Sequence, residues 1–385
     1  MNCRMFALTA TIATAALVRV SAGGDDALSP AQDYQARRTD PVVYDIDFSV
    51  VVTAPYKTKL LRVWLPIPPS DYGQEFSASR IETFPAEVRP QIGDEPLYGN
   101  RFAYFEFANP QGGQIIRHRF QMKVWELHWN VDEKRIVMPK SWPSTFDVYR
   151  RNEENAVAIT DGHLAVAQSL RSAGGFVNGE LADVMEYTRR TFRYDHQNAS
   201  LRGDSRHLIE QKQGHCSDYH SFCAAVGRAM GYPTRITYGL NTFAKASPSH
   251  CKLEAFLPPY GWVSFDVSET QKLATAIEAD NSLSGEDKKK LVAEALRRRD
   301  SGFRDNCWFL QTRGSDYDLA PPAGRRVPVV RTIYAEADGK PLADPDPSNP
   351  QQREFAWMVV MKIRADREVE YPFANYRSLD SETER

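Results

Sequence analysis

The chain lacks an excess of charge of either sign: 48 Lys and Arg stand against 50 Asp and Glu, a formal net charge of −2 over 385 residues. Binding a polyphosphate backbone needs a concentrated positive face, so nucleic acid is set aside as a main partner. Beyond Val18 it also lacks any long apolar run, and spanning a bilayer takes roughly 20 consecutive apolar residues. Cysteine is scarce, five residues in all, with Cys3 close to the N-terminus. The remaining Cys216, Cys223, Cys251 and Cys307 allow three pairings that the sequence does not rank, and a chain this long needs no disulfide staples. No internal repeat is visible. What is present is the composition of a soluble globular protein, 42% hydrophobic and 25% charged. That excludes a disordered polymer or a membrane bundle, and the length suits two or three domains.

The opening "MNCRMFALTATIATAALVRVSAGGDD" carries Arg4, an apolar run from Met5 to Val18, and Val20-Ser21-Ala22 before Gly23. This is the order of a secretory signal, so residues 1–22 are expected to be a signal peptide and the protein to be exported, periplasmic or extracellular. An anchor helix is the rival, but the run is shorter than the roughly 20 residues a span requires. No stable membrane insertion is expected after signal removal. Residues 23–40 read as a flexible lead-in. "VVYDIDFSVVV", "KLLRVWLPIP", "RFAYFEFA" and "IIRHRFQMKVWEL" then alternate apolar and polar side chains between turn formers, which predicts a β-sandwich-like domain over 41–135 with no catalytic grouping.

After the connector "VMPKSWPSTFDVYR" the period changes. Helix spacing runs from Asp161 to Ala173 and stops at Gly174-Gly175; Asn178 is placed to cap a second helix with Val184, Met185, Thr188 and Phe192 on one face. A third helix starts near Cys216 and ends at Gly231-Tyr232-Pro233. Strands follow in "RITYGL", "HCKLEAFL" and "WVSFDV". Helices first and an antiparallel sheet afterwards make an α+β core over 150–270. Residues 271–305 read as a charged helical insertion, capped by Ser284 with Asp287 and closed by Arg297-Arg298-Arg299, where the helix dipole favours cations. Its "KKK" and "RRR" runs fit a solvated helix face better than a docking site for an acidic partner. Residues 306–385 mix strands such as "FAWMVVMKI" with Pro-rich loops, either extending a sheet or forming a small terminal module.

Three residues carry the chemistry. His250 and Asp266 are equally distant from Pro258, so a hairpin centred there sets them directly opposite, with Cβ atoms roughly 4.5–5.5 Å apart. A carboxylate at that separation fixes the imidazole tautomer and favours imidazolium. Cys216 follows the flexible Gly214 at the start of a helix, where unpaired N–H groups and the helix dipole favour thiolate and could bind an oxyanion. Each residue alone is more often a packing or hydrogen-bonding group than a catalyst; the joint occurrence points to a thiol nucleophile with its base and orienting acid. Zinc is the sharper rival, because Cys216, His220 and Cys223 line one helix face and His250 with Cys251 could add ligands. Neighbouring strand residues point to opposite faces, however, and three ligands along one helix close a tetrahedron poorly. No metal and no cofactor are therefore expected; His220 and Cys223 default to polar support and helix packing, and Cys307 to a buried strand.

The stretch "GHCSDYHSFCAAVGRAMGYPTRITYGL" with "HCKLEAFLPPYGWVSFDVSET" resembles the core of the transglutaminase-like superfamily. The matching positions are Gly214, Cys216, Asp218, Gly231, Pro233, Arg235, His250, Glu254, Gly261, Trp262 and Asp266. The resemblance implies a papain-like fold with Cys216 as nucleophile, His250 as base and Asp266 as orienting acid. The chain departs from the family's usual aromatic after the histidine, carrying Cys251 and Lys252, and its charged insertion is long. A side-chain oxyanion donor is not evident; Tyr194 and Gln213 are candidates.

The expectation is an exported transglutaminase-like cysteine enzyme that transfers an acyl group from an amide, in a peptide or a Gln side chain, through a Cys216 thioester. Hydrolysis is favoured over cross-linking because nothing marks an amine-acceptor site. A protein or peptide substrate is expected, and oligomeric state is left open. The alternative is a non-catalytic binding protein that retains the fold. Its mark would be loss of Cys216, His250 or Asp266. Asn198-Ala199-Ser200 matches a glycan acceptor but fits a chance occurrence in a loop.

Overall fold

The structure, a computed structural model, describes residues 28–172, 180–244, 248–345 and 357–380. The expected signal peptide, the Gly174-Gly175 stop and the Asn178 cap lie outside these residues. The period-two patterning becomes strands β1 (Arg37–Thr53), β2 (Leu60–Ile67), β3 (Gln74–Phe84), β4 (Gln91–Asp94), β5 (Arg101–Ala108) and β6 (Gly113–His128). In β1 every second residue from Val42 to Val52 is buried, as strand geometry demands when one face packs on a core. Each such side chain is worth about 1.5–3 kcal/mol when fully buried.

The core follows with α1 (Asp161–Ser172), α2 (Glu180–Thr191), the two-residue strand β7 (Arg193–Tyr194), α3 (Arg206–Gln211) and the two-residue strand β8 (Gln213–Gly214). Next come α4 (Cys216–Ala229), β9 (Thr234–Asn241), β10 (Ser249–Leu257) and β11 (Gly261–Phe265). The former insertion region holds α5 (Val267–Ala279) and α6 (Gly285–Asp300). The remainder supplies β12 (Phe303–Arg304), β13 (Trp308–Arg313), β14 (Tyr334–Ala337), β15 (Lys340–Pro341), β16 (Trp357–Ala365) and α7 (Arg377–Asp380).

Three antiparallel sheets result, which makes the molecule α+β with a strand-rich N-terminal region. One runs β12-β6-β1-β16 with β3 also on β6, the second β15-β14-β2-β5-β4, and the third β11-β10-β9-β13. The first two face each other over Phe48, Val63, Phe105 and Met122. The tail therefore divides: β14 and β15 extend one sandwich sheet, β16 edges the other, and β13 completes the core sheet. Leu240 and Phe309 of the core sheet also join the sandwich's apolar cluster. Helix α4 is buried from Ser217 to Arg228, which makes it the central helix of the core rather than a surface one.

Three expectations need correction. The lead-in expected to be flexible is held down in its described part: the Tyr34 hydroxyl donates to Glu254 at 2.6 Å and Trp262 Nε1 to the Pro30 carbonyl at 2.9 Å. These contacts were invisible because they join residues more than 200 positions apart. The arginines closing α6 are not all solvated. Arg298 is 3% exposed, packs over the rings of Phe303 and Phe373, and donates to the Pro372 carbonyl, which ties the C-terminal segment down. The β10–β11 hairpin is also registered differently, with Leu257 opposite Gly261 and Leu253 opposite Phe265. His250 and Asp266 are offset by two positions rather than opposed, because the turn is centred on Pro259.

Gly239 marks a close approach: a Cβ there would lie 2.0 Å from the Phe309 carbonyl oxygen and 2.6 Å from the Trp308 ring. Gly239→Ala should therefore destabilise the protein by about 1–3 kcal/mol, as overpacking does, through the β9–β13 pairing. Urea unfolding would show it as a lowered midpoint, and an unchanged midpoint would refute the close fit.

Candidate active site

The N-terminus of α4 is built from the motif residues. His215 is the N-cap; its N–H donates to Asp218 Oδ2 at 3.1 Å, closing a capping box. Asp218, fully buried, also accepts from the Ser200 N–H at 3.2 Å and from its hydroxyl, which fastens the preceding loop over the helix end. Gly214 leaves the room this needs, because a Cβ there would come within 2.9 Å of both Asp218 and Leu208. Cys216 thus sits in the first turn, partly exposed, where the helix dipole favours an anion.

His250 and Asp266 meet from different elements. Asp266 leaves β11 and becomes the N-cap of α5, its Oδ1 accepting from the Glu269 N–H at 3.1 Å. Its Oδ2 accepts from His250 Nε2 at 2.7 Å, with both side chains almost fully buried. His250 Nδ1 is buried and makes no hydrogen bond of ordinary geometry, while Cys216 stands beside the ring. Burial pushes the imidazole's pKa down, but Asp266 and Cys216 outweigh it and hold the pKa up at about 9. Burial likewise opposes the Asp266 carboxylate, which His250 and Lys252 nonetheless keep well below the usual range.

The Cys216 thiol is pulled well below its ordinary pKa, first by a hydrogen bond from Cys251 and then, against burial, by His215 and His250. Cys251 is part of a relay. The Val267 N–H donates to His220 Nε2 at 3.1 Å, and His220 Nδ1 lies 3.3 Å from Cys251 Sγ. Burial lowers the His220 pKa to about 4, so its ring is neutral and Nδ1 carries the proton toward Cys251. The S–H of Cys251 is then free to point at Cys216.

Sequence comparison gives the same emphasis. Residues 165–267 match the family model of the Transglutaminase-like superfamily. The chain has a transglutaminase-like core. An uncharacterized protein of Haemophilus influenzae is 27% identical over 173 residues, 39% of this chain, and the match covers 44% of that protein's length. The crystal structure of a candidate cysteine protease from Cytophaga hutchinsonii superposes with a TM-score of 0.58 at 11% identity, covering 89% of this chain and 98% of the other. That likeness is one of fold.

Within this transglutaminase-like core the other motif residues serve structure. Arg235 donates to Glu254 at 2.6 Å and lies 4.0 Å over the Trp262 ring, beneath Tyr34 of the lead-in. Of the two oxyanion candidates, Gln213 accepts from Arg193 through its side-chain oxygen at 2.5 Å, which leaves donation to an oxyanion to its amide nitrogen. Tyr194 pairs with Gly214 in the parallel β7–β8 ladder, which sets it beside Cys216, and burial followed by the negative charge Cys216 can carry raises its pKa well above the ordinary value. Its hydroxyl therefore stays protonated and able to donate.

Sequence reasoning named Cys251 and Lys252 without their roles at the site, and it missed Glu269 and Tyr371. Glu269 Oε1 lies 4.0 Å from His250 Nδ1 and accepts from Lys272 at 2.7 Å. Tyr371, from the C-terminal segment, bonds to Glu269 and packs against Phe243 with ring centroids 4.2 Å apart. Lys252 is the cation that the corrected hairpin register brings to Asp266. The even spacing of His250, Lys252 and Glu254 on one strand was the available signal, since period two puts them on one face. Among the described residues the four cysteines are free, and no group of three His, Cys, Asp or Glu is placed to hold a metal ion.

Iodoacetate at pH 7 should carboxymethylate Cys216 ahead of Cys223, whose pKa burial raises to about 12. The anionic reagent is drawn by the imidazolium, so the Cys216 rate should hold below, and fall through, a pH of about 9 as His250 loses its proton. His250→Ala should slow labelling by about tenfold or more at pH 6, the factor that one unit of thiol pKa carries. Peptide mass mapping reads both effects; equal labelling of all four cysteines would remove the ion pair.

Proposed function

We propose that this protein is a cysteine acyl-transfer enzyme acting on amides, with Cys216 as nucleophile, His250 as general acid and base, and Asp266 as the orienting acid. The observation that carries the reading is the 2.7 Å His250 Nε2–Asp266 Oδ2 bond, with the buried Nδ1 of the same ring beside Cys216, whose pKa is drawn well down. The thiolate attacks the carbonyl carbon, and the carbonyl electrons move onto oxygen. The Cys216 backbone N–H and the Tyr194 hydroxyl are the donors offered to that oxyanion. His250 Nδ1–H passes its proton to the leaving nitrogen, the C–N bond breaks, and an acyl thioester remains on Cys216. Neutral His250 then takes a proton from the acceptor that attacks the thioester.

Water is the acceptor in this proposal, making the protein an amidase or peptidase. A lysine amine would make it a cross-linking enzyme, and Glu269, beside His250 but already paired with Lys272, offers no separate amine site. Loss of a reacting residue would favour the binding-protein alternative, and Cys216, His250 and Asp266 are all present.

A screen of Gln-containing and other amide peptides, with and without an added primary amine, tests the chemistry. Release of free acid without amine incorporation is expected, with Cys216→Ala reducing turnover by at least roughly a thousandfold, the order lost when a covalent nucleophile is removed. Equal rates in the variant would end the proposal. Export is also part of it, supported by the charge and hydropathy order of residues 1–22. Protein recovered from the cell envelope should begin at Gly23 on N-terminal sequencing; an intact Met1 would contradict export through cleavage.

A further inference from the structure

Lys252 is an ammonium with no exposure at all, an arrangement that persists only when the charge is fully partnered. Its Nζ donates to Asp266 Oδ2 at 2.7 Å and to Asp305 Oδ2 at 2.7 Å, and it lies 5.3 Å and 5.7 Å from the ring centroids of Trp308 and Phe373. Asp305 comes from the link between β12 and β13, and its other oxygen accepts from the Cys307 N–H at 3.0 Å. The consequence lies at Asp266: the oxygen that accepts from His250 Nε2 accepts from Lys252 as well. Two cationic donors share one carboxylate oxygen, while the second oxygen is spent on the α5 cap.

We propose that Lys252, clamped by Asp305, is a positioning residue that fixes Asp266 Oδ2 on His250 and draws off part of its charge, so that the imidazolium releases its proton to the departing amine. The proposal rests on the reading of Cys216 and His250 as the reacting pair. A bare buried carboxylate would hold an imidazolium so strongly that it became a poor acid, whereas catalysis is best served by a group that titrates near the working pH. Lys252 answers that difficulty by competing for the same oxygen. Asp305 sets how strongly it competes, because an ammonium shared between two carboxylates bears less on either.

The other charged and titratable groups around His250 are Glu269 from α5, Cys216 and His220 from α4, Cys251 on its own strand, Tyr194 from β7 and Tyr371 from the C-terminal segment. None of them is altered in the test. A bland role for Lys252 is also defined: a counterion that merely neutralises Asp305. In that case removing both charges together would leave His250 as it was.

The test is the pH profile of Cys216 carboxymethylation by iodoacetate in the full chain, whose upper limb reports the imidazolium and requires no substrate. Asp305→Asn leaves the whole charge of Lys252 on Asp266, and the limb should move to lower pH. Lys252→Met combined with Asp305→Asn removes the competitor without orphaning a charge, and the limb should move up by roughly one pH unit, tenfold in proton affinity. Opposite shifts support the proposal; unmoved limbs, or shifts of the same sign, overturn it while leaving the acyl-transfer reading intact. Should the double variant fail to fold by thermal unfolding, Lys252→Gln combined with Asp305→Asn takes its place, with an upward shift of the limb supporting the proposal and any other result overturning it. A wild-type protein with no preferential labelling of Cys216 overturns the acyl-transfer reading and this inference together.

Discussion

The structure turns on one buried carboxylate. Asp266 is 2% exposed and would be costly to keep ionised there without partners. One oxygen accepts from the Glu269 N–H and the Ser268 hydroxyl, and the other from His250 and Lys252. A single residue thus starts a helix, ends a strand and holds an imidazole. Removing one partner of such a buried ion pair costs about 3–5 kcal/mol, so the pieces that meet at Asp266 are coupled in stability.

The rest of the fold delivers those pieces. Helix α4 carries Cys216 at its tip because Asp218 and Gly214 hold its first turn against the preceding loop. Strand β10 brings His250 and Lys252 together on one face and turns Cys251 toward His220. The sandwich and the C-terminal tail complete the surroundings: β13 lies against β9, Asp305 comes from the link before it, and Tyr371 reaches the site because Arg298 pins the chain at Pro372. The region that reads in sequence as a charged insertion and a loose tail therefore reaches the centre of the site.

That Cys216, His250 and Asp266 come together was legible because the relevant signals are local: a helix start after glycine, a strand of period two, and a hairpin. The register was not, because a turn shifts its centre by one residue without changing which face the side chains share. That error left the same residues on the same face and hid the partner of Asp266, Lys252. His220 was legible as polar support, but its role in holding Cys251 was not, since that depends on how a helix rests on a strand.

By itself the sequence determined the alternation that makes the sandwich, the helix that starts at Cys216 after Gly214, and the motif shared with the transglutaminase-like superfamily. These follow from spacings of a few residues, over which backbone geometry is nearly fixed. Only the tertiary structure decided that the lead-in docks through Tyr34, that Lys252 and Asp305 share Asp266 with His250, and that Tyr371 stands at the site. Those contacts join residues from 14 to more than 200 positions apart, and a pairing at such range depends on how sheets and helices stack rather than on any local period.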